Sequence, residues 1–363
     1  MRRFNYTLYA FAALAVLLPG CDSHGSTPSG FGPAGVNAAP SNVQIFDGVT
    51  NMTAAVRAIA PDPDQRKSWI SPDIKHSSSL LFVSDAGHFE VFILSIPNLK
   101  LKGIITGFPH PPQGECSDKQ GNIWVTTDAP DIVKLSHTGD ILTKLGDPAI
   151  PVGCAVDPTT GNLAVTNIIT VKNGLPYPGD VLVYAGASGS PAEYKGPPRT
   201  YYYFAGYDGS GNLYADGLND LGNSVLTELP KGATKMHAIT LSGGTVYFPG
   251  MVQWYTPGKV LAVGDQLCGY TDNSCIYWVS ISGTKGTIKA TTNLLNYLGG
   301  PACDLVQGVL SPYGQKDVVG SVGACANAYE STDIWAYPAG GTPKEYNLPP
   351  LSSPIGAAIS ISK

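Results

Sequence analysis

One short motif recurs along this chain: KQGNIWVTT at 119–127, TTGNLAVTN at 159–167, GSGNLYADG at 209–217 and, altered, TPGKVLAVG at 256–264. Its glycines Gly121, Gly161, Gly211 and Gly258 stand 40, 50 and 47 residues apart. Helical repeat arrays have shorter units, of about 33 or 34 residues, whereas radially arranged β-sheet units have periods of this size. Each copy opens with a short apolar stretch and turns at a tight Gly-Asn or Gly-Lys step, preceded in three of them by an Asp (SDKQGN, VDPTTGN, YDGSGN, YTPGK). It then continues as a β-rich run. Gly and Asn supply the positive-φ positions that hairpin turns require, so the motif is the turn and second strand of a β-hairpin.

A third strand follows in each unit: EVFILSI (90–96), DIVKLSH (131–137), DVLVYAG (180–186), SVLTELP (224–230), CIYWVSI (275–281) and DIWAYPA (333–339). A Gly/Pro/Asn turn and a fourth short run come next. The expected fold is all-β, a six-bladed β-propeller of four-stranded antiparallel blades over 77–108, 109–150, 151–200, 201–243, 244–296 and 297–354. The first unit lacks an opening strand, and the chain ends in SPIGAAISISK (353–363), which resembles the opening strands PQGECSD and PVGCAVD. The last strand is therefore expected to complete the first blade, making 77–363 one ring without free edges, and a monomer. Composition agrees: Gly 43 and Pro 30 exceed a fifth of the 363 residues, turn chemistry spread throughout.

The D-x-x-G-N-(I/L)-(W/A/Y)-V-T unit resembles the NHL repeat and the related SMP-30/gluconolactonase and strictosidine-synthase-like six-bladed propellers. Four units follow the pattern; the fifth has Lys259 in place of Asn, and the sixth, SPYGQKDVVGS, has no Gly-Asn step. Such rings host hydrolases, lyases and binding modules alike.

The N-terminus reads as an address. Arg2 and Arg3 precede an apolar run from Leu8 to Leu18, too short to span a bilayer, and Leu18-Pro19-Gly20-Cys21 follows. Residues 1–20 resemble a bacterial lipoprotein signal peptide, which implies acylation of Cys21, a membrane tether through lipid and an extracytoplasmic location at the periplasm or cell surface. Residues 21–42, rich in Gly, Ser, Pro and Ala, read as a flexible tether, and 43–76 as an extension packed on the ring. A net charge of −5 without a Lys/Arg run argues against nucleic acid.

Six further cysteines suit three disulfides in an oxidising compartment. Cys268 and Cys275 flank a turn-rich hexapeptide, and Cys303 opens a strand while Cys325 lies just after the strand expected to pair with it. Cys116 and Cys154 remain. Counted back from Asp118 and Asp157 they are offset by one residue, which on regular strands turns them to opposite sheet faces and leaves this pairing the least supported. No C-x2-C pair points to zinc.

No G-x-S-x-G, H-E-x-x-H, P-loop or G-x-G-x-x-G signature is present, and the six histidines are scattered singly. Binding or scaffolding is thus the leading expectation, with a protein, glycan or small molecule as ligand. Tyr201, Tyr203, Trp254 and Tyr255, at matching places in two units, are the candidate ligand-face aromatics. The alternative is a calcium-dependent lactone hydrolase. The SMP-30 resemblance implies Glu, Asn and Asp oxygens around one Ca2+ at the channel mouth, and the counterparts here are Glu115, Asn167, Asp85, Asp216 and Asp265. These residues also suit the plainer role of capping turns at strand ends.

Overall fold

The computed structural model describes residues 67–363 apart from 173–174 and 326. The signal peptide, Cys21, the tether and most of the 43–76 extension lie outside the described residues. Among those described there is no α-helix; the elements are β-strands and two single-turn 3-10 helices, Ile74–His76 and Ala185–Ala187.

The recurrent motif folds locally because one side chain substitutes for backbone. Asp118 Oδ1 accepts hydrogen bonds from the backbone N–H groups of Gln120 and Asn122, both at 2.9 Å, and Asn122 Nδ2 returns to Asp118 Oδ2 at 2.9 Å. Asp208 holds Ser210 and Asn212 in the same way. Gly121 and Gly211 take φ of +82° and +90°, a conformation that L side chains reach only with strain. The two departing units reach the same hairpin by other residues. Lys259 itself takes the left-handed position (φ 50°), and in the sixth unit Gly314 and Gln315 do so (φ 75° and 52°).

Hairpins follow in order: Pro112–Ser117 with Ile123–Thr127, Ala149–Val156 with Leu163–Lys172, Thr200–Tyr207 with Leu213–Asn219, Pro249–Tyr255 with Val260–Asp265, and Gly308–Leu310 with Asp317–Val322. Each gains a third and a fourth antiparallel strand. Two such units share one eight-stranded sheet, because the outer strands His237–Ser242 and Lys285–Asn293 pair in parallel. The C-terminal strand Pro354–Ile361 pairs with Ser79–Asp85 and supplies the opening strand that the first unit lacks. Trp69–Ile70 pairs with the outer strand of that same sheet.

Opening strands also neighbour one another. Pro354–Ile361 contacts Pro112–Ser117, which contacts Ala149–Val156, then Thr200–Tyr207, Pro249–Tyr255 and Gly308–Leu310, which returns to Pro354–Ile361. Glycines make this approach feasible: a Cβ on Gly114 would lie 2.5 Å from the Val152 carbonyl oxygen, and one on Gly153 2.5 Å from that of Tyr203. The centre is therefore narrow. Gln307 fills part of it, its amide clasping the Glu115 peptide from both sides (N–H to Oε1 2.8 Å, Nε2 to carbonyl 2.7 Å).

All three disulfides form, with Cys116 joined to Cys154, Cys268 to Cys275 and Cys303 to Cys325. The one-residue offset that argued against the first of these is what makes it. Cys116 opposes Trp124, whereas Cys154 opposes Val165, one step along the equivalent ladder. Their strands belong to sheets packed face to face, so the side chains that meet point to opposite faces of their own sheets.

Candidate ligand-binding face

The residues proposed as ligand-face aromatics do not form a surface. Tyr203 is fully buried and packs edge-on against Phe248; Tyr255 is buried against Tyr337, with ring centroids 4.9 Å apart. Trp254 stacks on Tyr214, and Tyr201 is half-buried. The physical reason lies outside their own strands. In a lone sheet alternate residues face water, but here both faces of an opening strand are covered by neighbouring sheets, so both sets go inside.

Several exposed apolar groups lie instead in segments joining a fourth strand to the next opening strand, or a second strand to a third. Strand direction puts all of these loops on one side of the molecule. They carry Tyr247 and the 77% exposed Tyr270, with ring centroids 5.4 Å apart, together with Tyr329, Leu221, Leu298 and Tyr177. Two disulfides hold three of these loops: Cys268–Cys275 closes the Tyr270 loop, and Cys303–Cys325 ties the Leu298 loop to the Tyr329 loop. Sequence reasoning missed these tyrosines because they stand singly. The available signal was a tyrosine two or four residues from a cysteine in LCGYTD and CANAY.

Beneath this side lies a tier of buried carboxyls at strand ends, where the opening strands shift register. Asp216 takes up an N–H group freed by such a shift, whereas Asp85 and Asp265 bind N–H groups of the loops beside the opening strands. Asp85 accepts from Ser352 and Ser353 N–H at 3.0 and 2.7 Å, and from His88 Nδ1 at 2.7 Å. Asp265 accepts from Tyr247, Phe248 and Leu267 N–H. Asp216 Oδ1 accepts from Phe204 N–H at 2.8 Å. This is the strand-end capping role, performed on or beside the opening strand.

Glu115 and Asn167 are different. Glu115 Oε1 accepts from Ser84 Oγ at 2.6 Å, while Oε2 is buried without a hydrogen bond among the described residues. Burial pushes its carboxyl up to about 8. Asn167 Nδ2 donates to Asp180 Oδ1 at 2.8 Å, while its own Oδ1 lacks a partner among the described residues. Burial raises Asp180, with Glu193 adding to the effect, and lifts nearby Asp147 to about 6. Asp128, buried with neither oxygen hydrogen-bonded among the described residues, is lifted to about 7. Asp128, Asp147, Asp180 and Gln307 carried no motif and went unseen in the sequence.

These oxygens do not fit the calcium site that the resemblance implied. Asp85 and Asp265 are taken up by loop amides, and among the described residues no three His, Cys, Asp or Glu side chains gather for a metal. Asp216 and Ser224, each with a buried oxygen lacking a hydrogen bond among the described residues, stand beside a small apolar-walled cavity lined by Leu226, Leu241, Val246 and Val263. The cavity measures ≈ 10 Å³, room for about one water molecule.

No family model matches the chain, and no curated protein is similar to it. Solved structures are. TolB from Acinetobacter baumannii aligns with a TM-score of 0.53 at 14% identity, over 87% of this chain and 71% of its own. The chain has a β-propeller-like fold. A protein of unknown function from Bacteroides caccae (TM-score 0.57, 11% identity, 78% of this chain and 99% of that one) and a functionally unknown protein from Desulfotomaculum acetoxidans (0.50, 9%, 78% and 99%) share it. At these identities the likeness concerns fold alone.

Proposed function

We propose that the chain is a lipid-anchored, extracytoplasmic, six-bladed NHL-like propeller that binds a glycan or protein ligand on its tyrosine-bearing loop face. The observation that carries this reading is the display of Tyr270 and Tyr329 on loops braced by two disulfides, with Tyr247 packed beside Tyr270. Tyrosine offers a flat apolar face and a polar tip with few rotors to immobilise, and bracing the loops in advance lowers the ordering cost of binding. Six opening strands in cyclic contact, each leading a four-stranded unit, support the blade count. Three disulfides support an oxidising compartment, and Leu18-Pro19-Gly20-Cys21 supports acylation at Cys21.

Glycan-array binding of the full chain, alongside a Tyr270→Ala/Tyr329→Ala variant, tests the ligand reading. The expected result is a defined set of glycans bound by the parent and lost, by tenfold or more (about 1.4 kcal/mol), in the variant. A signal unchanged by the two substitutions would remove the loop face from the account.

A further inference from the structure

Exposed lysines gather on one side of the disc, and the sequence-wide total of −5 hides it. On the side away from the tyrosines, turns joining first to second strands present Lys119, Lys259 and Lys316, and turns joining third to fourth strands present Lys231, Lys285 and Lys344; all six are exposed. Among them Lys344 is held in an ion pair, with Asp317. Of the acids of these turns, Asp140 is exposed and bonded to Ser136 and Thr138, Asp317 is paired with Lys344, and the others are turned inward. Asp157 and Asp208 are buried and bonded to the amides of their own turns, and Asp118 is tied to Asn122 and Lys134. The tyrosine side holds the buried tier of Asp85, Asp128, Asp147, Asp180, Asp216 and Asp265. Its Arg199 is paired with Asp220 at 2.5 Å.

We infer that the lysine face docks on an anionic lipid surface, with the tyrosine face turned outward. The lysines come from four of the six units and are spread around a flat ring, so they match a charged plane better than a linear polyanion lying in a groove. They are point charges without an arginine among them, whereas bidentate phosphate recognition favours arginine. Tyr313 is the exposed aromatic of these turns, and single-stranded nucleic acid needs several stacking platforms. Attraction to a membrane's surface potential requires only that cations lie within a Debye length of it. The local face, and not the net charge, then decides binding. This inference is independent of the ligand reading and of acylation.

The test is sedimentation of the full chain carrying Cys21→Ser with vesicles of phosphatidylcholine alone and of phosphatidylcholine mixed with phosphatidylglycerol. Comparing the two vesicles cancels any uncharged contribution from the N-terminal segment. Partitioning to the anionic vesicles should exceed that to the neutral ones by roughly tenfold at low salt and vanish near 0.5 M salt, where the Debye length is about 4 Å. Lys259→Glu/Lys316→Glu should abolish the excess. Lys195→Glu/Arg199→Glu, the same change in net charge on the opposite side, should preserve it, with circular dichroism confirming that both variants fold. Equal partitioning to the two vesicles, or equal loss in the two variants, would overturn the inference. So would lysine-dependent binding to heparin without binding to vesicles, which would assign the face to a soluble polyanion.

Discussion

Glu115 shows how a single residue can tie the centre of the ring to pH. Its carboxyl sits at about 8 in the fold against 4.5 when free, because burial disfavours the charged form. Between those values the folded state binds a proton that the unfolded chain has released. Stability from this group is therefore full below pH 4.5 and declines as pH rises toward 8, by up to about 1.4 kcal/mol per pH unit. Asp128 at about 7 and Asp147 at about 6 act in the same sense. Thermal melts should thus show stability falling from pH 5 to pH 8, and Glu115→Gln should flatten the slope; a parent profile that rises over this interval would contradict the assignment. The oxygens around Glu115 also bear on calcium. Because Asp85 and Asp265 are occupied by loop amides, adding calcium and then a chelator should leave the melting temperature unchanged, and a chelator-reversible rise of several degrees would show a donor set not recognised here.

Opening strands, as elements, are defined by close approach. Gly114→Ala would drive a methyl group toward the Val152 carbonyl, and Gly153→Ala toward that of Tyr203. Each should cost about 1–3 kcal/mol in denaturant unfolding, since neither contact is with a flexible side-chain end. A loss below about 0.5 kcal/mol would mean that the strands sit further apart. The same elements explain what the sequence could and could not disclose. Hairpins were legible because Asp118, Gly121 and Asn122 make their turn within five residues, so local chemistry and local sequence coincide. The C-terminal strand was legible because the first unit visibly lacked its partner. The burial of Tyr203 and Tyr255 was not, since the sheets that cover them come from distant segments. Nor was the Cys116–Cys154 bridge, whose offset is uninformative until two sheets are known to face each other. Asp85, Asp216 and Asp265 were found by position, but the amides they bind belong to opening strands and loops that only the fold brings beside them.

At the scale of the whole molecule, both faces depend on closure. Ser79–Asp85 and Pro354–Ile361 join the two ends of the described chain, and His137 straddles the seam, its ring nitrogens 2.6 Å from Ser360 Oγ and 2.8 Å from the Ser77 carbonyl. Ser360 Oγ in turn donates to the Gly121 carbonyl in the next unit. A ring closed through a terminal strand has no independent segment to lose, so its sheets should unfold together. Removal of 354–363 should abolish the cooperative transition and not merely lower its midpoint. The most direct measurement is native-state hydrogen exchange on the intact chain, following the amides of Pro354–Ile361 beside those of Ile123–Thr127. Closure predicts that both strands exchange only through global unfolding, with the same free energy and the same denaturant dependence. Exchange of the C-terminal strand by a separate, lower-energy opening, while Ile123–Thr127 stays protected, would contradict it.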